Sequence, residues 1–146
     1  MPRPKPQKKE EEKTEAELKE EKLVKEIKDE LKKLYDLNDR DEAKMKLHTS
    51  LILSLKRTLD KDNEHKGLLF IRHNIKEIND GIIKSGLSTN TKKSYFIRLF
   101  SIAQMLYNSK MKVGRKNIIL KSDMKKFEKL MEKYRDDANR QLESRA

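Results

Sequence analysis

Apolar residues in this chain recur at steps of three and four, and that pattern narrows the possible folds more than any motif does. Val24, Ile27, Leu31 and Leu34 step 3, 4, 3. Leu68, Ile71, Ile75, Ile78 and Ile82 step 3, 4, 3, 4, and Tyr95, Leu99, Ile102 and Leu106 step 4, 3, 4. Met124, Phe127, Met131, Tyr134 and Ala138 again step 3, 4, 3, 4. A helix turns once in about 3.6 residues, so each series lies along one helix face. A half-buried strand would alternate with period two instead. The sequence therefore reads as all-α, a bundle of four to five helices preceded by one more.

Punctuation between the series sets the boundaries. Thr14 with Glu17 three residues on matches a capping box and opens a helix running to residue 37. That helix is otherwise Glu and Lys, with pairs such as Glu21–Lys25 and Asp29–Lys33 at i,i+4. It reads as a charged arm whose narrow stripe docks on the rest of the chain or on a protein partner. The stripe is too short for a long coiled coil. A second helix follows, capped by Asp39 or Asp41, with Leu47, Leu51, Leu55 and Leu59 recurring every fourth residue. "DKDNEHKG" is a polar loop, and "LLFIRHNIKEINDGIIKSG" reads as one continuous third helix. Gly81 inside it destabilises by about 1 kcal/mol relative to Ala, which implies close packing or a bend. Gly86 and Leu87 stop that helix, and Ser88 caps the fourth. "KVGRKNIIL" is a small hairpin or an irregular loop, and the last helix starts near Ser122 or Asp123. The expected organisation is a basic, Pro-containing extended tail over 1–13, the arm helix over 14–37, and a helical bundle domain over 39–146.

Charge is distributed less evenly than composition suggests. The 146 residues carry 36 Lys+Arg and 25 Asp+Glu, a net charge of +11. Residues 1–80 hold 20 basic against 19 acidic residues, and 123–146 hold 7 against 6. Residues 81–122 hold 9 against 0, in a chain that is 42% charged. A concentrated positive excess is the footprint expected for phosphate or another polyanion. Lys92, Lys93 and Arg98 fall near the start of the fourth helix, where free N–H groups and the helix dipole also favour anions. Lys110, Lys112, Arg115, Lys116 and Lys121 fall in the connector that follows it.

At "GLSTNTKKSYFIRLFSIAQML" the chain resembles the N-terminal core-binding domain of tyrosine recombinases of the phage-integrase type. The matching positions are a helix end, then Leu87, Ser88, Thr91, Tyr95 and Leu99. Related modules occur in uncharacterised proteins of large DNA viruses. The resemblance covers roughly 68–142, with a specific core of about 20 residues. It implies a SAM-like bundle that clamps duplex DNA through backbone contacts, with Thr89, Thr91, Lys92 and Lys93 facing phosphate. The family's catalytic domain has no room here, and none of His48, His65 or His73 is followed by Arg at the third position. Strand cleavage is not implied.

Other chemistry is absent from the sequence. There is no Cys, no P-loop, no dinucleotide-binding glycine pattern and no HExxH. The three histidines have no ligand spacing, so neither a metal nor a cofactor is expected. The longest apolar runs, "GLLFI" and "NIIL", are far short of the roughly 20 residues of a membrane span. The charged N-terminus lacks the apolar core of a secretory signal. These readings give the expectation of an intracellular protein (nucleus, cytoplasm or virion) that is not an enzyme. Its expected function is non-catalytic binding of nucleic acid, DNA more than RNA, or of another polyanion. The alternative is a structural or adaptor component of a virion or ribonucleoprotein particle, with residues 1–37 reaching a protein partner.

Overall fold

Six helices and one two-residue hairpin make up the computed structural model, which describes residues 14–145 and, from 141 to 145, the backbone alone. The tail expected over 1–13 lies outside the described residues. The helices are α1 (Glu15–Leu37), α2 (Lys46–Leu59), α3 (Leu69–His73), α4 (Ile75–Ile83), α5 (Thr89–Ser109) and α6 (Lys121–Arg145). Strands β1 (Lys112–Val113) and β2 (Lys116–Asn117) join α5 to α6. The fold is all-α.

The helix read as an arm is a core helix. Thr14 caps α1 by accepting the Glu17 amide at 3.2 Å. Its stripe of Leu23, Ile27, Leu31, Leu34 and Tyr35 is buried. From Ile27 onward these residues belong to the same cluster as Ile52, Phe70, Phe96, Leu99 and Phe127. The expected docking on the chain itself is therefore what occurs, and residues 14–37 and 39–140 share one core. Asn38 closes α1, donating from its side-chain nitrogen to the Leu34 carbonyl at 2.8 Å. Asp39 then turns left-handed (φ 54) and leads the chain away.

Two boundaries differ from the sequence reading. No side chain caps α2: Asp41 instead accepts the Ala43 amide at 3.0 Å in a local turn, and the helix begins only at Lys46. The third helix is also not continuous. It breaks at Asn74, whose amide closes α3 on the Phe70 carbonyl at 2.8 Å. Leu68, Leu69, Phe70 and Ile71 are all buried. Four consecutive residues point around most of a helix circumference, so no single face of a straight helix can bury them all. The bend falls there, and Gly81 sits in an unbroken α4.

Of the two alternatives for the connector the hairpin is what forms, and α6 begins at Lys121, just before the expected Ser122 or Asp123. Ser88 accepts the Thr91 amide at 3.2 Å and starts α5. A Ser88→Ala variant is expected to lose about 1 kcal/mol of stability, read from the urea midpoint; no loss would mean that the cap is replaced by solvent. Gly114 (φ 64) makes the turn between β1 and β2. Below the hairpin, Met111, Ile118 and Ile119 are buried, and the Ile118 amide donates to the Met111 carbonyl at 3.1 Å. The Asp123 carboxylate reaches back to the Leu120 amide at 2.9 Å and fixes the start of α6. Helices α5 and α6 then pack along one another, with Phe96 stacked on Tyr134 at 4.4 Å.

A charged residue anchors the loop between α2 and α3. The Lys56 ammonium is fully buried and donates to Asp60 Oδ2 at 2.7 Å, to the His65 carbonyl at 2.8 Å and to the Gly67 carbonyl at 3.1 Å. Beside it, Glu30 accepts the Leu68 amide at 3.1 Å, and its carboxylate occupies the space a Cβ at Gly67 would need. Burial pushes Glu30 up to about 7, against the pull of the Leu68 amide and with a further push from Glu26. A carboxyl raised in the folded state binds a proton that the unfolded chain releases above its ordinary value. Stability is therefore highest below about pH 4.5 for this group and falls as pH rises through about 7. Glu30→Gln removes that fall. Because Glu30 is half-buried, the variant is expected to gain about 1–2 kcal/mol over the parent at pH 8 and nothing at pH 4. Urea midpoints across pH that run parallel for the two proteins would refute this.

Candidate nucleic-acid interface

The ten residues singled out in the sequence do not form one site. They divide between the two ends of α5. From Lys92 to Lys110 is eighteen residues, about 27 Å of helix axis.

At the N-terminal end, much of the expected machinery is already engaged. Lys92 donates its ammonium to the Ile83 carbonyl at 2.8 Å, satisfying the last turn of α4. Thr91 shares a hydrogen bond with Ser88 at 2.9 Å as part of the cap. Thr89 and Lys92 line a shallow cleft with Tyr134, Asp137 and Arg140. The acid-free window is therefore not acid-free in space: α6 brings Asp137 to this cleft, paired with Arg140 at 2.8 Å. Lys93 is half-buried on α5. Arg98 lies apart from the others, its guanidinium 5.7 Å from the Tyr95 ring in a groove against α2.

The C-terminal end is more open. Lys110 takes a left-handed conformation (φ 54) at the end of α5, and Lys110, Lys112, Arg115, Lys116 and Lys121 are all exposed. Among the described residues, none of the five forms an ion pair with a carboxylate. The pairing register sets Lys112 opposite Asn117 and Val113 opposite Lys116, so these two lysines are carried on paired backbone. Arg72 of α3 joins this end, donating to the Asn117 carbonyl at 3.5 Å and lying 3.5 Å from the buried Asp123 carboxylate. His73 stacks on His65 at 4.1 Å. Burial and then the neighbouring His65, Arg72 and Lys116 push His73 below the ordinary imidazole value, which keeps it neutral near pH 7. Nothing in the sequence marks Arg72, His65 and His73 as neighbours of these cations; it shows only that the histidines lack ligand spacing.

The arrangement supplies exposed cations around a hairpin seated on buried Met111, Ile118 and Ile119. Among the described residues no three His, Cys, Asp or Glu side chains converge to hold a metal. No described helix is long and apolar enough to cross a membrane. Comparison with known protein families, curated proteins and solved structures finds no match.

Proposed function

We propose that this chain is a non-catalytic nucleic-acid-binding protein that holds the phosphate backbone, of duplex DNA before RNA, at the hairpin end of α5. The observation that carries the reading is the set of five exposed, carboxylate-free cations at Lys110, Lys112, Arg115, Lys116 and Lys121. Their support is fixed by Met111, Ile118 and Ile119 in the core. Phosphate contacts position a protein without reading sequence, so binding at this end is sequence-neutral. The resemblance of Leu87, Ser88, Thr91, Tyr95 and Leu99 to a recombinase core-binding domain also favours duplex DNA. At the other end of α5, Lys93 is the cation best placed to add a contact, because Lys92 and Arg98 have other neighbours.

The test is a titration of labelled duplex DNA, single-stranded RNA and heparin with the full chain. The variant Lys112→Glu/Arg115→Glu/Lys116→Glu is expected to lose binding, and Lys93→Glu to weaken it only slightly. Equal binding by the triple variant and the parent would overturn the reading.

A second reading, a structural or adaptor component of a larger assembly, is favoured by Leu47, which is 62% exposed, and by Leu87 beside the same groove. Saturable capture of a protein partner with only weak, non-saturating nucleic-acid binding would select it.

A further inference from the structure

Part of the leucine row of α2 lines an open groove. The groove has a volume of about 510 Å³ and lies between α2, α4 and the first turns of α5. Leu51, Leu55 and Leu59 line it from α2, Ile82 from α4 and Tyr95 from α5. Leu47, at the start of the row, is 62% exposed.

Gly81 also lines this groove, and nothing within the chain accounts for it. Its φ is not in the left-handed region, and α4 runs through it unbroken. A Cβ built at Gly81 meets no atom within 4 Å. Glycine inside a helix destabilises it relative to alanine. Gly81 is exposed, and the groove wall there leaves open space for a side chain from outside.

Two opposite charges complete the surface. Arg98 and Glu77 both line the groove. Among the described residues neither pairs with an opposite charge. One surface therefore carries a projecting apolar side chain, open space beside the helix backbone at Gly81, a cation and an anion. A two-fold contact requires both halves of each interaction on the same patch, whereas a foreign helix would need only the open apolar groove.

We propose that this groove is the contact between two copies of the chain related by a two-fold axis. Leu47 of each copy seats over Gly81 of the other, and Arg98 of each faces Glu77 of the other. The contact is separate from the hairpin end of α5 and does not depend on nucleic acid.

Sedimentation equilibrium over a wide concentration range tests this. The parent is expected to pass reversibly from monomer to dimer as concentration rises. Gly81→Leu fills space that the chain's own atoms leave empty and removes a helix glycine. It is expected to stay monomeric while unfolding no more easily than the parent measured as a monomer. Arg98→Glu alone and Glu77→Arg alone each place like charges at both contacts, raising the dimer dissociation constant about a hundredfold or more. Mixed in equal amounts, these two variants present opposite charges at both contacts and are expected to form a heterodimer near parental affinity. A parent that remains monomeric throughout, a Gly81→Leu variant that still dimerises, or single charge variants that mixing does not rescue would overturn the proposal.

Discussion

Lys56→Met is expected to lose about 3–5 kcal/mol of stability, the range found when one partner of a buried ion pair is removed. Methionine keeps much of the side-chain volume, so the loss reports the ammonium and not a cavity. Three acceptors lose their donor together: Asp60 Oδ2 and the carbonyls of His65 and Gly67. The Asp60 carboxylate is left buried, held only by the Glu64 amide at 2.8 Å and the His65 amide at 3.1 Å. Burial pushes Asp60 up, while the Lys56 ammonium and those two amides pull it below the ordinary carboxylate range. In Lys56→Met the ammonium no longer pulls, so Asp60 takes up its proton at a higher pH. The double variant Lys56→Met/Asp60→Asn removes both charges of this buried pair and is expected to recover part of the loss. Urea unfolding followed by helix signal measures all three proteins. A single-variant loss below about 1 kcal/mol would show that the loop reorganises to admit water.

No sequence pattern marked Lys56. It is one of 36 basic residues, and Lys56–Asp60 at i,i+4 reads like any exposed helix pair. Its burial follows from the loop of residues 60–67 folding back over α2, which periodicity does not report. The same limit explains the leucine row. Spacing fixed that Leu47, Leu51, Leu55 and Leu59 share a face, but which face meets the core depends on where α1 and α5 pack. Ile52 is fully buried, while Leu47 faces outward.

Where local chemistry decides, the sequence was sufficient. Ser88 as a cap, Gly86 at positive φ, Gly114 in a turn, and the Phe127, Tyr134 and Ala138 stripe all follow from residue type and spacing. The break at Asn74 was also written in the sequence, as four consecutive apolar residues at 68–71, but the 3, 4, 3, 4 stepping hid it. For the interface, sequence located the cations and missed their grouping. Linear proximity placed Lys92, Lys93 and Arg98 together, and the fold separates them into a helix-end bond, a half-buried neighbour and a groove. The acid-free window is a property of order along the chain, and only the antiparallel return of α6 brings Asp137 back to it.

Salt dependence gives the proposed interface a numerical expectation. Each neutralised phosphate releases condensed counterion, so log affinity for duplex DNA falls with log salt at about 0.9 per contact. Five contacts, one from each of Lys110, Lys112, Arg115, Lys116 and Lys121, give a slope near −4.5. Affinity then falls roughly five hundredfold between about 50 and 200 mM salt. Lys112→Glu/Arg115→Glu/Lys116→Glu removes three contacts and adds repulsion, so its residual slope should be no steeper than about −2. Lys93→Glu removes at most one contact, and its slope should stay within about 1 of the parent. Measured slopes separate the two ends of α5 without a structure of the complex. If Lys93→Glu flattened the slope more than the triple variant, the grip would lie at the N-terminal end, with Lys93 beside the Ser88 cap. A parental slope near zero would remove phosphate from the account altogether, because exposed cations around a hairpin cannot hold a polyanion without displacing its counterions.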